Sequence, residues 1–478
     1  MSLIGDAPFW EYFEEICSIP HGSGNTNEIS EYLVNFAKEQ GLKYVKDELN
    51  NVVIYKSATE GYENKPAVIL QGHMDMVAVK TKDCVKDLEK DGLDLEINDE
   101  WLSAVGTSLG GDDGIAVAYM LAILASKDYK HPALECVITV DEEVGMDGAF
   151  GIKAEQLLKG TRMMNMDNEG EGVFLAGCAG GARIDCSIPV ERKLRDAIVY
   201  ELKVSGLKGG HSGVEINDNR VSAATIIARF LCELKLGRTR LIDIKCGEKD
   251  NVIANSGYIK FICSAPKPDV MEILDFYADV LKEELATREP GLKLEYECLG
   301  NEINVNALNR ATSDKVMDFL LALPQGVDTM SADVPDLVET SDNIGIIDLT
   351  ENELKCSVSV RSSYASAKQA LCDKVIAVAT LAGGTAKQLG DYPGWAYRVD
   401  SPLRDIMVEA YKEMYGNEPK VEAIHAGVEC GLFIEKLEGL DCVSYGPDIE
   451  AIHSVNERLN IPSAERVYDF TVKVLERS

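Results

Sequence analysis

The residues of this chain best suited to chemistry lie where short apolar runs end. Only six histidines occur in 478 residues, and four of them, His73, His211, His425 and His453, sit beside glycine, serine or carboxylate residues at such ends. In AVILQGHMDMV, His73 and Asp75 stand two residues apart, so they share a side if the chain stays extended. A carboxylate so placed can accept the ring N–H of a metal-binding histidine and fix its tautomer. In LGGDDG the glycines permit close backbone approach, while Asp112 and Asp113 stand at the mouth of the next helix. The run LECVITVDEEVG ends in three consecutive acids, Asp141, Glu142 and Glu143, which is costly unless they are solvated or neutralised. RMMNMDNEG repeats the pattern with Asp167, and AIHS supplies His453.

Two imidazoles and three carboxylates form a nitrogen and oxygen set that suits a pair of zinc ions, with one carboxylate bridging. Paired ions roughly 3.5 to 4 Å apart can bridge a water, lower its pKa towards about 7 and polarise a scissile carbonyl.

Gathering these residues requires an open α/β sheet, whose ligands collect at the carboxyl ends of the strands. The segments at Asn51 (NVVIY), Ala67 (AVILQ), Leu134 (LECVITV) and Arg162 (RMMNM) are too short and too uniformly apolar for surface helices and read as buried strands. An amphipathic helix over Thr26–Gln40 is stopped by Gly41, and a crossover helix begins near Gly114. LDLEINDEWLSA alternates around a turn, which predicts a hairpin. From about Ala182 the texture becomes α+β, with helices near Ser222–Leu234 and Asp269–Leu285 among strand-like stretches. The expected division is a catalytic domain in two parts, 1–182 and 395–478, around an inserted domain at 183–394.

Composition limits the partners. With 80 Asp and Glu against 48 Lys and Arg the net charge is −32, which excludes a basic nucleic-acid footprint. The N-terminus carries acids and aromatics where an export signal would have basic residues and then an apolar run. No apolar stretch reaches the roughly 18 to 20 residues of a membrane span. Thirteen cysteines without a CxxC pair fit a reducing compartment, so a soluble cytoplasmic protein is expected.

Taken in order, GHMDMV, TSLGGDDGIA, TVDEEVGMDGA, NMDNEG, AGCAGG, GLKGGHSG, HAGVECGLF and IHS resemble the co-catalytic zinc dipeptidases over nearly the whole chain. The resemblance implies an α/β fold, with a central mixed sheet flanked by helices and an inserted α+β lid domain. It implies two zinc ions per chain, with manganese or cobalt as possible substitutes. His73 and Asp167 would hold one ion, Glu143 and His453 the other, and Asp112 would bridge. Asp75 would orient His73, and Glu142 would be the general base. From the lid, His211 would donate to the oxyanion, and Asn251 and Arg361 would hold the carboxylate end of a dipeptide. Ala254 departs from the family, which usually has proline there. Backbone near Gly427 and the Glu429 side chain would line the pocket, with Glu429 receiving the substrate's ammonium. The Asp112–Asp113 peptide is expected to be cis, with Asp113 standing where relatives often have Asn. His21 and His131 are expected to be loop residues without a catalytic task, and a homodimer through the lid is implied. Two other readings stay open: an aminoacylase or deacetylase acting on N-acylated amino acids, and a noncatalytic binding protein stabilised by its metal.

Overall fold

Strands with both faces covered must be apolar at successive positions, and four segments of the chain meet that condition. In the computed structural model, which describes residues 2–235 and 238–478, Leu134–Thr139, Val68–His73, Arg162–Asn165 and Asp441–Ser444 lie side by side and parallel. On one face Val68, Leu70, Cys136, Ile138 and Met164 pack into a core with residues of the helices Phe9–Ser18, Gly111–Ala125 and Ile461–Arg477. Ile69, Val137 and Met163, which point the other way, are buried as well. On the flank the sheet is antiparallel, through Val52–Lys56 and Lys43–Lys46. The eight-stranded sheet is therefore mixed, and its last two members are Val173–Cys178 and Lys420–Ile424.

The predicted hairpin forms between Leu95–Asn98 and Trp101–Ala104. It is extended by Arg458–Asn460 and Ile449–Glu450 into a four-stranded antiparallel sheet. The predicted first helix spans Asn27–Glu39, and Thr26 stands at its N-cap position without a side-chain capping bond. The crossover helix spans Gly111–Ala125, but Asp112 and Asp113 in its first turn have non-helical backbone, so its regular part begins near Gly114 as expected. Their peptide bond is cis.

The chain divides into two units, one of Met1–Gly177, Tyr397–Ala423 and Val428–Ser478, the other of Cys178–Ala396 with Ile424–Gly427. In the second, a nine-stranded sheet with antiparallel pairings alternates buried and exposed side chains. Ile184, Cys186 and Ile188 point inward while Arg183, Asp185 and Ser187 do not. This period of two marks a sheet covered on one face, here by Ala223–Lys235, Lys267–Leu285, Arg310–Ala322 and Ala365–Leu381. Among the described residues no helix is long and apolar enough to cross a membrane.

Leu70 is fully buried in a central strand of the first sheet. Its replacement by Ala is expected to lower stability by about 2–5 kcal/mol, measured by urea denaturation.

Candidate metal centre

Parallel strands deliver their chain ends to one edge of the sheet. His73 is the last residue of its strand and is level with Thr139, while Gln71 is level with Asn165. Glu142 and Glu143 follow Thr139 in the next turn, and Asp167 lies two residues past Asn165. Asp112 enters from the mouth of the crossover helix. His453 enters from the loop between the short strands Ile449–Glu450 and Arg458–Asn460, with its backbone at φ +58°. Residues remote in sequence are thus brought to one place by strand register and one hairpin.

The two oxygens of Asp112 face different imidazoles: Oδ1 lies 3.3 Å from His73 Nε2 and Oδ2 lies 3.2 Å from His453 Nε2. Each imidazole also meets an acid of its own. His73 Nε2 is 3.2 Å from Asp167 Oδ1, and His453 Nε2 is 2.9 Å from Glu143 Oε2. Two three-residue groups therefore share Asp112, each with ligand atoms within 4.8 Å of one another. His73 with Glu142 and Glu143 makes a third such group.

Charge in this cluster is poorly compensated by the protein. Burial above all pushes the carboxyls of Asp113 and Asp167 well above the usual range and that of Glu142 up to about 8. Asp112 is instead held below the ordinary carboxylate range because its close contacts with the imidazoles of His453 and His73 outweigh its burial. The cationic groups with a leading effect on these acids are the imidazoles of His73 and His453. His73 Nε2 and Glu143 Oε1 are buried without a hydrogen-bond partner. Orphaned ligand atoms, excess acid and a mixed imidazole and carboxylate set fit divalent metal ions.

A surrounding shell fixes these ligands. His73 Nδ1 lies 2.9 Å from the Asp75 carbonyl oxygen and 3.5 Å from Asp75 Oδ1, which leaves Nε2 turned toward the acids. Asp75 Oδ1 accepts from the Glu142 backbone N–H at 3.1 Å, and Oδ2 accepts from Ser23 Oγ at 2.8 Å. Asp113 Oδ2 accepts from the His73 backbone N–H at 3.2 Å. Sequence reasoning passed over Glu457, four residues beyond His453. Its buried carboxylate gathers the backbone N–H groups of Leu109, Gly110, Gly111 and Asp112 at 2.8, 3.0, 2.8 and 3.3 Å. No periodicity marks an acid in a loop, so proximity to the IHS motif was the one available signal.

Glu429 does not stand on an open pocket wall. It is fully buried in the first unit, and its Oε2 accepts from Gln71 Nε2 at 2.5 Å and Thr139 Oγ1 at 2.7 Å. Its position at the start of the helix Glu429–Lys436 turns it under the strand ends, and burial foremost pushes its carboxyl up to about 7. His21 and His131 are buried, their Nδ1 atoms lying 2.6 and 2.7 Å from the carbonyls of Ile19 and Pro132.

The second unit carries His211, Asn251, Arg361, His425 and Gly427. His211 Nδ1 accepts the backbone N–H groups of Gly213 and Val214 at 3.1 and 3.2 Å. Burial and the Arg361 charge lower the pKa of the ring, so it is neutral near pH 7 with its proton on Nε2. His425 Nε2 lies 2.7 Å from Ser341 Oγ, and burial, then Arg361, pushes this ring down to about 3. A Cβ on Gly213 would come within 2.5 Å of the His425 carbonyl oxygen, so the GGHSG loop needs glycine for this approach. Asn251 and Arg361 line one cavity.

Residues 69–477 match the model of Peptidase family M20/M25/M40. The chain is similar to the cytosol non-specific dipeptidase of Escherichia coli, with 36% identity across 100% of this chain and 98% of that protein. It also matches the crystal structure of aminoacylhistidine dipeptidase from Vibrio alginolyticus, with a TM-score of 0.94, 37% identity, and coverage of 99% and 97% of the two chains. A tripeptidase from Staphylococcus aureus shares the fold at a TM-score of 0.56 and 17% identity, over 100% of this chain and 99% of that one.

Replacing Glu457 by Gln substitutes an amide for the carboxylate that gathers those four N–H groups. Metal affinity is expected to fall about 10- to 100-fold, measured by competition with a chelator.

Proposed function

The chain belongs to Peptidase family M20/M25/M40, and on that premise we propose that it is a metal-dependent dipeptidase cleaving unblocked dipeptides, Xaa-His among them, in the cytoplasm. The observation that carries the reading is Asp112, whose two oxygens address two separate imidazole and carboxylate groups beside the free acid Glu142. His73 and Asp167 would hold one zinc ion and Glu143 and His453 the other, with Asp112 common to both. Manganese or cobalt would suit the same oxygen-rich set. When bound, such a pair supplies Lewis acidity and lowers the pKa of water.

The protein's own groups account for the remaining steps. Glu142, which holds no place in either of the two groups that share Asp112, takes the proton of the attacking water and delivers it to the leaving amine. Asp75 supports both partners, through the His73 ring and the Glu142 backbone. His211, neutral and protonated on Nε2, donates to the oxygen on which negative charge develops. Arg361 and Asn251 receive the substrate's carboxylate, and backbone near Gly427 lines the pocket. Glu429 retains the ammonium role only through Oε1, which has no partner, because Oε2 is held by Gln71 and Thr139. Pairing of two chains through the second unit belongs to the same reading and is measured by sedimentation equilibrium.

Amine release from a panel of unblocked dipeptides, with and without chelator, tests the function. Activity is expected on free dipeptides, lost with chelator and restored by zinc or manganese, whereas release from acetylated amino acids alone would establish the aminoacylase reading instead. Replacing Glu142 by Gln is expected to lower kcat roughly 10²- to 10⁴-fold while metal content, measured by elemental analysis, is unchanged. A Glu429→Gln variant that keeps full preference for unblocked dipeptides removes the ammonium role.

A further inference from the structure

The cavity that holds Asn251 and Arg361 lies wholly in the second unit, has a volume of about 210 Å³, and has Tyr392 on its wall. Arg361 Nη1 donates to the Tyr392 hydroxyl at 2.9 Å. Arg361 Nε is buried without a hydrogen-bond partner. The other arginine on this wall, Arg183, is already committed, lying 3.1 Å from Asp185 and 3.4 Å from Asp250. Arg361 makes no ion pair among the described residues, so it is the cation of this cavity left for an anion.

Tyr392 is held from several directions. Its backbone pairs with Gly181 across the sheet, and Lys368, a buried lysine on the helix Ala365–Leu381, donates to its carbonyl oxygen at 2.5 Å. Its ring fills space that two glycines leave open. A Cβ on Gly181 would meet the ring at 2.5 Å and one on Gly427 would meet it at 2.7 Å. Burial raises the pKa of the hydroxyl against the lowering effect of Arg361, so the oxygen keeps its proton at neutral pH.

We infer that Tyr392 is a substrate-positioning residue: by accepting from Nη1 it fixes the Arg361 guanidinium so that its opposite edge is held ready for the substrate's carboxylate. With Nη1 directed at the tyrosine, the Nε and Nη2 edge remains for a carboxylate, the paired geometry that makes arginine selective for this group. A long arginine side chain otherwise loses rotamer freedom when it binds, and a hydrogen bond made in advance removes part of that cost. The inference rests on the dipeptidase reading for the identity of the ligand.

Tyr392→Phe keeps the ring between the two glycines and removes only the oxygen. The probe is a dipeptide isostere with a reduced peptide bond, which cannot be cleaved, supplied as the free acid and as the C-terminal amide to the metal-loaded protein. By titration calorimetry, wild-type protein is expected to prefer the acid. Y392F is expected to lose roughly tenfold or more in affinity for the acid and little for the amide, with thermal melting unchanged. Equal losses for acid and amide, no loss, or a wild type that does not distinguish them overturns the inference. Turnover of unblocked dipeptides by the wild type is measured separately. Its absence rejects the dipeptidase reading, while the calorimetric comparison still decides the role of Tyr392.

Discussion

Repulsion among buried carboxylates is the constraint on which this protein is organised. Asp75, Asp112, Asp113, Glu142, Glu143 and Asp167 converge at one edge of the first sheet, and the positive groups acting on them are His73 and His453. Two like charges about 4 Å apart cost roughly 4 kcal/mol at an effective dielectric near 20. Such an arrangement persists where protonation or cations compensate it, and compensation by divalent ions matches the orphaned atoms of His73 and Glu143.

The scaffold applies its rigidity where that repulsion is largest. Three parallel strands set the heights of His73, Glu142, Glu143 and Asp167, and their register leaves little freedom because both sheet faces are packed. Asp112 and His453 come from less regular segments, and one carboxylate ties those two segments together. Glu457 lies in the same loop as His453 and holds four backbone amides of the segment that ends in Asp112. Fixing both outer contributors through one carboxylate couples their positions to each other.

The second unit solves a different electrostatic problem, keeping histidines neutral in a protein of net charge −32. Burial and the Arg361 cation disfavour protonation of both His211 and His425. Backbone amides at Nδ1 then choose the His211 tautomer. One arginine thus acts on both of its neighbouring imidazoles, disfavouring their charged forms.

The sequence alone determined the classes of residue and their order: apolar runs of strand length, each followed by a possible ligand, and a motif series that identified the family. It could do so because strand burial is written in composition and because ligands of an α/β sheet must follow the carboxyl ends of its strands. The tertiary structure decided what depends on register and loop closure. It divided the two oxygens of Asp112 between His73 and His453, enclosed Glu429 beneath the strands, and brought Glu457 and Tyr392 to their partners. None of these contacts has a local signature, because the partners are separated by tens to hundreds of residues and meet only when non-local packing closes.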